Sequence, residues 1–545
     1  MGIRKALLAR LAAATAVVVT FSVAFPVAAV AAPVKDINTL PASSNADHLT
    51  TVGASVFFTA DNPSTGRELW RSSGAFSTAT LVKDLSPGTA STRFGDDFVA
   101  IGATLFFTTE DDNFNRRIWR SDGTSAGTTA VTDGIQPRIA RDLEVLGSNL
   151  YFAGTGDDGD VELWKSDGTP AGTQELKDVD PTGSSYPAEP TAVGSRLFFI
   201  ASDSSGAAEL WSSDGTPAGT TRVAHFAGSS YPRNLTAVGS TLYFTTCFGS
   251  GDDLFKSDGT AEGTLLVKDL YPDNNCHGIP KPVAVGARLF FLAFDAATGE
   301  ELWWTDGTTT ALTKDIRPGT TSSDPRRMTA MGGALYFTAG DGTTGGELWR
   351  SDGSSAGTVL VKNINPGAAS AFRFNQVTLV AAGSNLFFNA DDGSHGFELW
   401  KSDGTAAGTA LLKDIRLGAS SSMQDLRQAS AVGSNVLFVA DDGTHSYEVW
   451  RSDGTAAGTN LVSDIDQGTQ SSTPAILTTA GSTVYFIADD GTHGAELWKS
   501  NGAAGGTALV KDIRPGLEAT GFGDAAVIGP TLFFVADDGV HGREL

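Results

Sequence analysis

The chain has 545 residues and is strongly acidic, with 62 Asp and Glu against 38 Lys and Arg and a net charge of −24. A surface of this sign repels phosphate backbones, so the composition argues against a nucleic-acid partner. The 64 glycines and 31 phenylalanines are typical of many short strands joined by tight turns.

The N-terminus has the pattern of an export signal. Three basic residues precede an apolar stretch over residues 11–30, which ends in a small-x-small cleavage pattern. We predict a signal peptide over residues 1–31 with cleavage between Ala31 and Ala32, because cleavage one residue later would place Pro33 first. An uncleaved anchor is the alternative. Later apolar runs are too short to span a bilayer, so we expect a secreted or cell-surface protein without a membrane span.

One sequence unit recurs along the rest of the chain. Its copies are marked by the pairs Phe57-Phe58, Phe106-Phe107, Tyr151-Phe152, Phe198-Phe199, Tyr243-Phe244, Phe290-Phe291, Tyr336-Phe337, Phe387-Phe388, Leu437-Phe438, Tyr485-Phe486 and Phe533-Phe534. The spacing of 45 to 51 residues is typical of propellers and repeat arrays, whose units bury their apolar faces only against neighbours. We therefore predict a single repeat region over residues 32–545, with about eleven units.

Each unit predicts four strands. The first precedes a Gly-containing turn, the second carries the aromatic pair, the third contains Glu-Leu-Trp, and the fourth reads Leu-Val-Lys-Asp-Ile. The second strand is apolar on both faces, so both faces of the sheet must be covered. These features predict an all-β protein, a β-propeller of about eleven four-stranded blades. One large ring and two consecutive propellers both satisfy the sequence, and residues 34–37 are predicted to complete the last blade.

The chain has two cysteines, Cys247 and Cys276, which lie in the same unit. In an exported protein we expect them to form a disulfide. Two unpaired buried thiols are the alternative. The stretches 247–253 and 271–282 depart from the repeat around these cysteines, which makes them the sequence's best candidate for a site confined to one blade. Drift in a tolerant loop is the simpler interpretation.

At residues 398–409 the sequence Glu-Leu-Trp-Lys-Ser-Asp-Gly-Thr-Ala-Ala-Gly-Thr makes a resemblance specific. The repeats resemble the bacterial ELWxxDGT repeat family over about residues 34–545. The resemblance implies export and a propeller-like array, and it brings no catalytic residues. Several units depart from the motif, with Ser73 in place of Asp, Arg117 in place of Glu, Phe255 in place of Trp and Asn501 in place of Asp.

The polar residues of the motif are better explained by a structural role in turns and ion pairs than by catalysis or ligand binding. The Asp of the Ser-Asp-Gly-Thr loop can accept backbone N–H groups and fix the turn. This Asp is Asp122, Asp167, Asp214, Asp258, Asp306, Asp352, Asp403 and Asp453. The Glu before Trp and the Lys or Arg after it, such as Glu347 with Arg350 and Glu496 with Lys499, are predicted to form cross-strand or inter-blade ion pairs.

A second loop, Asp-Asp-Gly-x-His-Gly, pairs carboxylates at a tight turn. Its pairs are the weak Ca²⁺ candidates Asp391, Asp392, Asp441, Asp442, Asp489 and Asp490. Carboxylate oxygens suit Ca²⁺, but a solvated β-turn is the simpler interpretation of the pattern. We expect no other cofactor, and Zn²⁺ is disfavoured because the histidines of these loops belong to different units.

These patterns leave three functions open. The first is a secreted, non-catalytic, monomeric propeller that binds a protein or glycan ligand. The second is a structural component of the cell envelope or matrix, stiffened by Ca²⁺. The third is a propeller-type glycoside hydrolase, although the sequence has neither the His-Glu-x-x-His zinc motif nor a phosphate-loop motif and is expected not to be an enzyme.

Overall fold

The computed structural model describes residues 44–73, 79–113, 115–132, 141–156, 158–204, 206–226, 231–247, 252–273, 275–373, 378–423, 426, 429–466, 471–503 and 505–545. The predicted signal peptide, its cleavage site and the predicted strand at residues 34–37 lie outside these residues. The described residues contain strands, turns and loops, and none of them forms a helix that could cross a membrane.

The strands fall into four classes by their position in the repeat. The first strands are β1 (Asp47–Val52), β5 (Arg93–Ile101), β9 (Arg141–Leu146), β13 (Ala188–Val193), β17 (Tyr231–Val238), β21 (Val283–Val285), β25 (Arg326–Met331), β29 (Val380–Ala382), β33 (Ser430–Val432), β37 (Ala475–Ala480) and β41 (Ala525–Ile528). The second strands are β2 (Ser55–Asn62), β6 (Thr104–Glu110), β10 (Asn149–Thr155), β14 (Arg196–Ser202), β18 (Thr241–Cys247), β22 (Arg288–Asp295), β26 (Ala334–Gly340), β30 (Asn385–Asp391), β34 (Asn435–Asp441), β38 (Thr483–Asp489), and the pair β42 (Thr531–Phe534) and β43 (Ala536–Asp537). The third strands are β3 (Gly66–Ser72), β7 (Arg116–Ser121), β11 (Val161–Ser166), β15 (Ala208–Ser213), β19 (Asp252–Ser257), β23 (Gly299–Thr305), β27 (Gly346–Ser351), β31 (Phe397–Ser402), β35 (Tyr447–Ser452), β39 (Ala495–Ser500) and β44 (Arg543–Glu544). The fourth strands are β4 (Thr80–Lys83), β8 (Thr129–Ala130), β12 (Gln174–Lys177), β16 (Thr221–Ala224), β20 (Leu265–Asp269), β24 (Thr310–Leu312), β28 (Val359–Lys362), β32 (Ala410–Leu411), β36 (Asn460–Leu461) and β40 (Thr507–Lys511).

Each run of four consecutive strands pairs in chain order as an antiparallel sheet, and this confirms the predicted blade. Ten sheets in the described part of the chain have four strands. The eleventh blade is described as two strand pairs, β41 with β42 and β43 with β44. The aromatic pair lies opposite the Glu-Leu-Trp strand, so that Phe388 faces Trp400 across β30 and β31.

The blades form one closed ring. Each first strand contacts the first strand of the next blade, and β41 contacts β1 in turn. The backbone N–H of Ser44 donates to Glu544 Oε1 at 2.7 Å, across 500 positions of sequence. Phe58 of the first blade packs in one apolar cluster with Phe533 and Leu545 of the last. The structure is therefore a single eleven-bladed β-propeller, and the alternative of two propellers is wrong.

The apolar cores lie between neighbouring blades. One cluster joins Leu348 and Val361 of blade 7 to Phe388 and Trp400 of blade 8. Both faces of a blade are buried in this way, which explains why the second strand is apolar on both sides. The stack of blades gives each unit an apolar partner that it lacks alone.

The antiparallel order puts the loops on two opposite faces. Turns between first and second strands lie on the same face as the Ser-Asp-Gly-Thr loops between third and fourth strands; we call this the SDGT face. Hairpins between second and third strands lie on the other face, together with the connections from each fourth strand to the next blade. We call this second face the DDG face, after the Asp-Asp-Gly hairpins.

The SDGT loop is a closed hydrogen-bond circuit. Asp403 Oδ1 accepts the backbone N–H of Thr405 at 2.8 Å and its hydroxyl at 2.7 Å. The N–H of Gly408 donates to Thr405 Oγ1 at 2.9 Å. A Cβ on Gly408 would lie 2.1 Å from the Asp403 carboxylate, so the glycine gives this carboxylate room. The hydrogen bonds hold the pKa of Asp403 below its ordinary value. The predicted structural role of the motif Asp is confirmed.

The predicted pairing of Glu347 with Arg350 is wrong. Glu347 is fully buried, and its two carboxylate oxygens accept the backbone N–H groups of Ile364 at 2.8 Å and Asn365 at 3.2 Å. Arg350 instead donates to the carbonyl of Gly404 in the next blade at 3.4 Å. The motif Glu therefore fixes the connection that leaves its own blade, and the cation after Trp links neighbouring blades.

Glu496 repeats this arrangement. It accepts backbone N–H groups from Ile513 at 3.0 Å and Arg514 at 3.2 Å, and the hydroxyl of Thr520. Its predicted pairing with Lys499 is therefore wrong as well. A third-strand Glu is buried here because the strand turns that side chain into the blade, where only the connecting loop offers donors.

Candidate functional site

A cavity of about 320 Å³ opens on the DDG face of blade 7. Its lining contains four arginines, Arg317, Arg326, Arg327 and Arg373, in a chain whose net charge is −24. One carboxylate, that of Asp324, lies among the lining residues. The cavity is thus a local basic site on an acidic protein, and its sign favours an anionic group.

Three backbone segments of blade 7 hold the walls of this cavity together. They are the connection from β24 to β25, the hairpin from β26 to β27, and the connection from β28 to β29. The N–H of Gly340, at the end of β26, donates to the carbonyl of Ser323 at 2.9 Å. At Gly345, which has a φ of 72°, a Cβ would lie 2.3 Å from the carbonyl oxygen of Ala369. Glycine is therefore required there for the third segment to approach the hairpin.

At two other blade boundaries, an arginine in the connection that enters a blade pairs with the first Asp of that blade's hairpin. Arg416 and Arg514 each follow a Lys-Asp-Ile sequence, as does Arg317. The guanidinium of Arg416 forms an ion pair with Asp441, the first Asp of the next hairpin. Arg514 lies 3.7 Å from Asp537, which occupies the same hairpin position. The repeat therefore builds an arginine–aspartate contact across these boundaries.

The boundary between blades 6 and 7 keeps the arginine and lacks the aspartate. Arg317 lies over the hairpin, where a Cβ on Gly342 would be 3.0 Å from its Nε. The hairpin position that holds Asp441 in blade 9 is Gly340 in blade 7, again the last residue of the second strand. The space of the missing carboxylate forms part of the cavity, since both Arg317 and Gly340 line it.

The other three arginines differ in how they are compensated. Arg326 donates to Glu300 at 2.7 Å, so its charge is balanced. Arg373 lies over the ring of Phe397, with 4.4 Å between guanidinium carbon and ring centroid. Within the described part of the chain, no carboxylate lies within ion-pair distance of Arg317, Arg327 or Arg373. Three guanidinium groups therefore remain available to a ligand.

Arg327 projects from a β-bulge in the first strand. It has a φ of 56°, and the strand register shifts between Arg326 and Thr329. A left-handed conformation is costly for a residue with a Cβ. Equivalent bulges hold His48, Asp142, Glu189 and Asn234 with φ between 49° and 57°. The conformation is thus a property of the repeat, and the identity of its side chain varies from blade to blade.

The predicted Ca²⁺ candidates lie on the same DDG face, in the hairpins of blades 8, 9 and 10. Each first Asp accepts the N–H of the hairpin glycine; the acceptors are Asp391, Asp441 and Asp489, at 2.7 to 2.8 Å. Each second Asp accepts two backbone N–H groups of its turn and a histidine ring nitrogen; these aspartates are Asp392, Asp442 and Asp490. The geometry matches the β-turn interpretation, and Ca²⁺ binding stays a prediction.

The histidine of this hairpin forms an ion pair with the second Asp. In blade 8, Nδ1 of His395 lies 2.7 Å from Asp392 Oδ2. Burial acts to raise the pKa of Asp392, but the hydrogen bonds from His395 and the turn outweigh it and hold that pKa below its ordinary value. The same contact raises the pKa of His395. The pair closes the turn, and the two charges stabilise each other.

The stretch around the cysteines is a braced connection between blades 5 and 6. Cys247 and Cys276 form a disulfide with 5.5 Å between their Cα atoms, as predicted. Asp252 is buried, pairs with Arg233 and accepts the N–H of His277 at 2.6 Å. Residues 248–251 lie outside the described part of the chain. The described side chains here fix the path of the connection, and this accounts for the local loss of the repeat pattern.

Sequence reasoning missed a cluster in blade 4. The ligand atoms of Asp203, Glu209 and His225 lie within 4.8 Å of one another, the one such group of His, Cys, Asp and Glu found among the described residues. Arg222 donates to Asp203 at 3.0 Å and to Glu209 at 3.2 Å. This guanidinium already supplies the positive charge that a cation would bring, so we interpret the cluster as an ion-pair network. In the sequence, Arg222 and His225 stand where other units have Leu-Val-Lys-Asp residues.

Sequence reasoning also missed the arginine-lined cavity. The sequence indicates the cavity through a missing aspartate. The hairpin of unit 7 has Gly340 where units 8 to 11 have the first Asp, while the connection before this hairpin keeps Arg317. Aligning each connection with the hairpin of the following unit would have revealed the mismatch.

Comparison with known proteins assigns no family. No family model matches the chain, and no curated protein matches it. Among solved structures, the chain is similar to a glycoside hydrolase family 74 enzyme of Niastella koreensis, with 12% identity, a TM-score of 0.28, and coverage of 92% of this chain and 82% of that one. It is also similar to a puromycin-hydrolyzing peptidase of Mycobacterium tuberculosis, with 13% identity, a TM-score of 0.29, and coverage of 77% and 62%.

A prolyl endopeptidase gives a comparable match, with 15% identity, a TM-score of 0.31, and coverage of 68% of this chain and 54% of that one. The chain spans less than two thirds of the length of these peptidases. At TM-scores this far below 0.5, none of the three likenesses carries an inference about activity. The propeller fold rests on the strand order and the closed ring of this chain.

Proposed function

We propose that the protein is an exported, non-catalytic β-propeller that binds a glycan or protein ligand on its DDG face. The observation that carries the proposal is the cavity of blade 7, where four arginines meet in a chain of net charge −24. Three of them, Arg317, Arg327 and Arg373, have no carboxylate partner within the described residues. Uncompensated guanidinium groups that lie close together repel one another, and a bound anionic ligand offsets this repulsion.

The polar groups of the cavity support binding more than hydrolysis. Glycoside hydrolysis requires two carboxylates that flank the scissile bond. The described lining offers a single carboxylate, Asp324, beside arginine, serine, threonine and glycine. The carboxylates of the neighbouring hairpin, such as Asp391 and Asp392 of blade 8, are hydrogen-bonded within their own turn. The proposed role is therefore recognition without turnover.

Export is supported by the basic and apolar leader over residues 1–31, and by the disulfide between Cys247 and Cys276. Disulfides persist in oxidising compartments. The resemblance to the ELWxxDGT repeat family carries the same expectation. N-terminal sequencing of the protein from a culture medium should begin at Ala32; a chain that keeps its first 31 residues would contradict export by signal cleavage.

Binding is tested with the tagged, exported chain on a glycan array and in pull-down from cell-surface extracts. We expect a ligand that is retained by the wild-type protein and lost by the Arg317→Gln and Arg373→Gln variants. The matched control is Arg93→Gln, an exposed arginine on the DDG face of blade 2. No retained ligand, or retention unaffected by the two cavity variants, would contradict the proposal. A change in the mass of the retained ligand would contradict a non-catalytic role.

A further inference from the structure

We propose that the cavity of blade 7 takes a carboxylate from a uronate-bearing glycan, in the space that the first hairpin Asp fills at other blade boundaries. This inference rests on the proposed binding function and names the ligand of the same site. Arg317 repeats the position of Arg416, whose guanidinium pairs with Asp441. Because Gly340 replaces that Asp, the protein retains the cationic half of the contact and leaves the anionic half to a ligand.

Arginine selects carboxylates by geometry as well as charge. Its planar guanidinium presents parallel N–H donors that match the two oxygens of a carboxylate. Arg327 and Arg373 line the same cavity, and neither has a carboxylate partner in the described chain. A ligand carboxylate at the position of the missing Asp would therefore meet Arg317 directly and lie within the field of two further cations.

The cavity exists before a ligand arrives. The first wall is fixed by the hydrogen bond from Gly340 to Ser323, and the second by that from Gly346 N–H to Ser370 Oγ at 2.9 Å. Arg326 also lines the cavity, and its pairing with Glu300 balances its charge. A preformed site avoids the entropic cost of ordering loops on binding.

The size and lining of the cavity favour a sugar unit over an extended peptide. About 320 Å³ is at the small end of ligand pockets and suits a compact, ring-sized group. Ser322 and Ser370 contribute hydroxyl groups to the lining, and Phe372 contributes an apolar surface. This mixture of hydroxyl and apolar surface complements a hexuronate, which carries hydroxyls and one carboxylate on a single ring.

The test is calorimetric titration of the full exported chain with trigalacturonate, its methyl ester, sodium sulfate and triaspartate. We expect trigalacturonate to bind with a Kd below about 1 mM, and the methyl ester at least about tenfold more weakly, because it keeps the sugar and removes the charge. Gly340→Asp should abolish trigalacturonate binding by supplying the missing carboxylate internally. Gly340→Asn, of the same size and neutral, separates the effect of charge from that of filling the cavity.

Arg317→Gln keeps the test decisive if substitution at Gly340 disturbs the hairpin, since Arg317 lies in a connection and its side chain has no carboxylate partner in the described residues. This variant should also bind trigalacturonate at least about tenfold more weakly. Full binding by both Gly340→Asp and Arg317→Gln would overturn the assigned site. Equal binding of triaspartate with the same variant dependence would replace the glycan by a peptide, and equal binding of sulfate would show an adventitious ion only.

The outcomes separate this inference from the proposed function. Wild-type binding of a neutral glycan or a protein, with no preference for trigalacturonate over its methyl ester, would overturn the carboxylate assignment and leave the binding function standing. Failure to retain any glycan or protein, together with no heat from trigalacturonate, would overturn both.

Discussion

Arg416 and Asp441 form an ion pair across the boundary between blades 8 and 9, and Arg317 stands in the same position at the boundary between blades 6 and 7 without its aspartate. The two boundaries share the Lys-Asp-Ile-Arg connection and the glycine turn of the hairpin. The two boundaries can therefore be compared directly. The boundary between blades 8 and 9 has the arginine–aspartate ion pair, and the boundary between blades 6 and 7 has a cavity in its place.

Restoring the aspartate at this boundary should stabilise the ring slightly. Gly340→Asp places a carboxylate where Arg317 can pair with it, and partly exposed pairs contribute up to about 1 kcal/mol. A Cβ on Gly340 would lie 3.1 Å from the carbonyl oxygen of Gly345, so the hairpin must shift by a few tenths of an ångström. Urea unfolding at low and high salt measures the gain. We expect it to shrink at high salt, and a Gly340→Asn variant that gains as much would contradict a charge effect.

The Asp of the Ser-Asp-Gly-Thr loop should stabilise the fold through the hydrogen bonds that it accepts in its turn. Asp403→Ala removes the acceptor of two hydrogen bonds from Thr405, and each such bond contributes about 1 kcal/mol. We expect the free energy of unfolding to fall by about 1 to 2 kcal/mol. Ala407→Ser, at an exposed position of the same loop, serves as the control and should leave stability unchanged. A loss from Asp403→Ala no larger than that of the control would contradict the closed circuit.

The disulfide should contribute stability through the loop it closes. Cys247 and Cys276 are separated by 29 residues, for which the chain-entropy estimate is about 3.6 kcal/mol. Unfolding measured with and without reductant gives the difference. The double variant Cys247→Ala with Cys276→Ala should be less stable than the oxidised protein and insensitive to reductant. Labelling of two thiols in the native protein without reductant would contradict the disulfide.

Stability should fall as the pH rises from about 5 to about 8. Burial raises the pKa of the motif Glu to about 7, although hydrogen bonds from the connection act in the opposite direction; these residues are Glu162, Glu301, Glu347, Glu398 and Glu448. A pKa raised on folding means that the folded state binds the proton more tightly than the unfolded state. That stabilisation is complete below pH 4.5 and is lost as the pH passes through about 7.

The hairpin histidines act in the same direction. Each ring donates a hydrogen bond to the second Asp of its hairpin, and this bond raises the pKa of His395, His445 and His493. Their contribution to stability is therefore present below about pH 6.5 and lost above the raised value. Thermal unfolding across this range measures the slope. Glu347→Gln removes one of the titrating groups and should make the slope shallower. A melting temperature that rises between pH 5 and pH 8 would contradict this account.

The blade was predictable from sequence because its signals are local. The pairing of Phe388 with Trp400, the glycine turns and the Asp403 loop all lie within one unit, and each recurs often enough to be read as a pattern. The fold class and the disulfide follow from such signals. The choice between one ring and two did not, because closure depends on contacts such as Ser44 with Glu544, which join residues 500 positions apart.

The site resisted prediction for a different reason. Glu347 was expected to pair with Arg350 because a Glu three positions before an Arg has the pattern of an ion pair, and nothing local shows that the third strand turns the Glu inward. The cavity arises where Gly340 departs from a partner in another unit's connection, Arg317. Motif searches look for residues that are present, and here the informative residue is a missing carboxylate.

The central claim is that blade 7 binds a carboxylate where the repeat has lost one. The most direct measurement is a crystal structure of the exported chain soaked with trigalacturonate. The account predicts one uronate ring in the cavity, with its carboxylate over Gly340 and within hydrogen-bond distance of the Arg317 guanidinium. A cavity without ligand at a concentration that saturates binding in solution, or a ligand bound on the SDGT face instead, would contradict it.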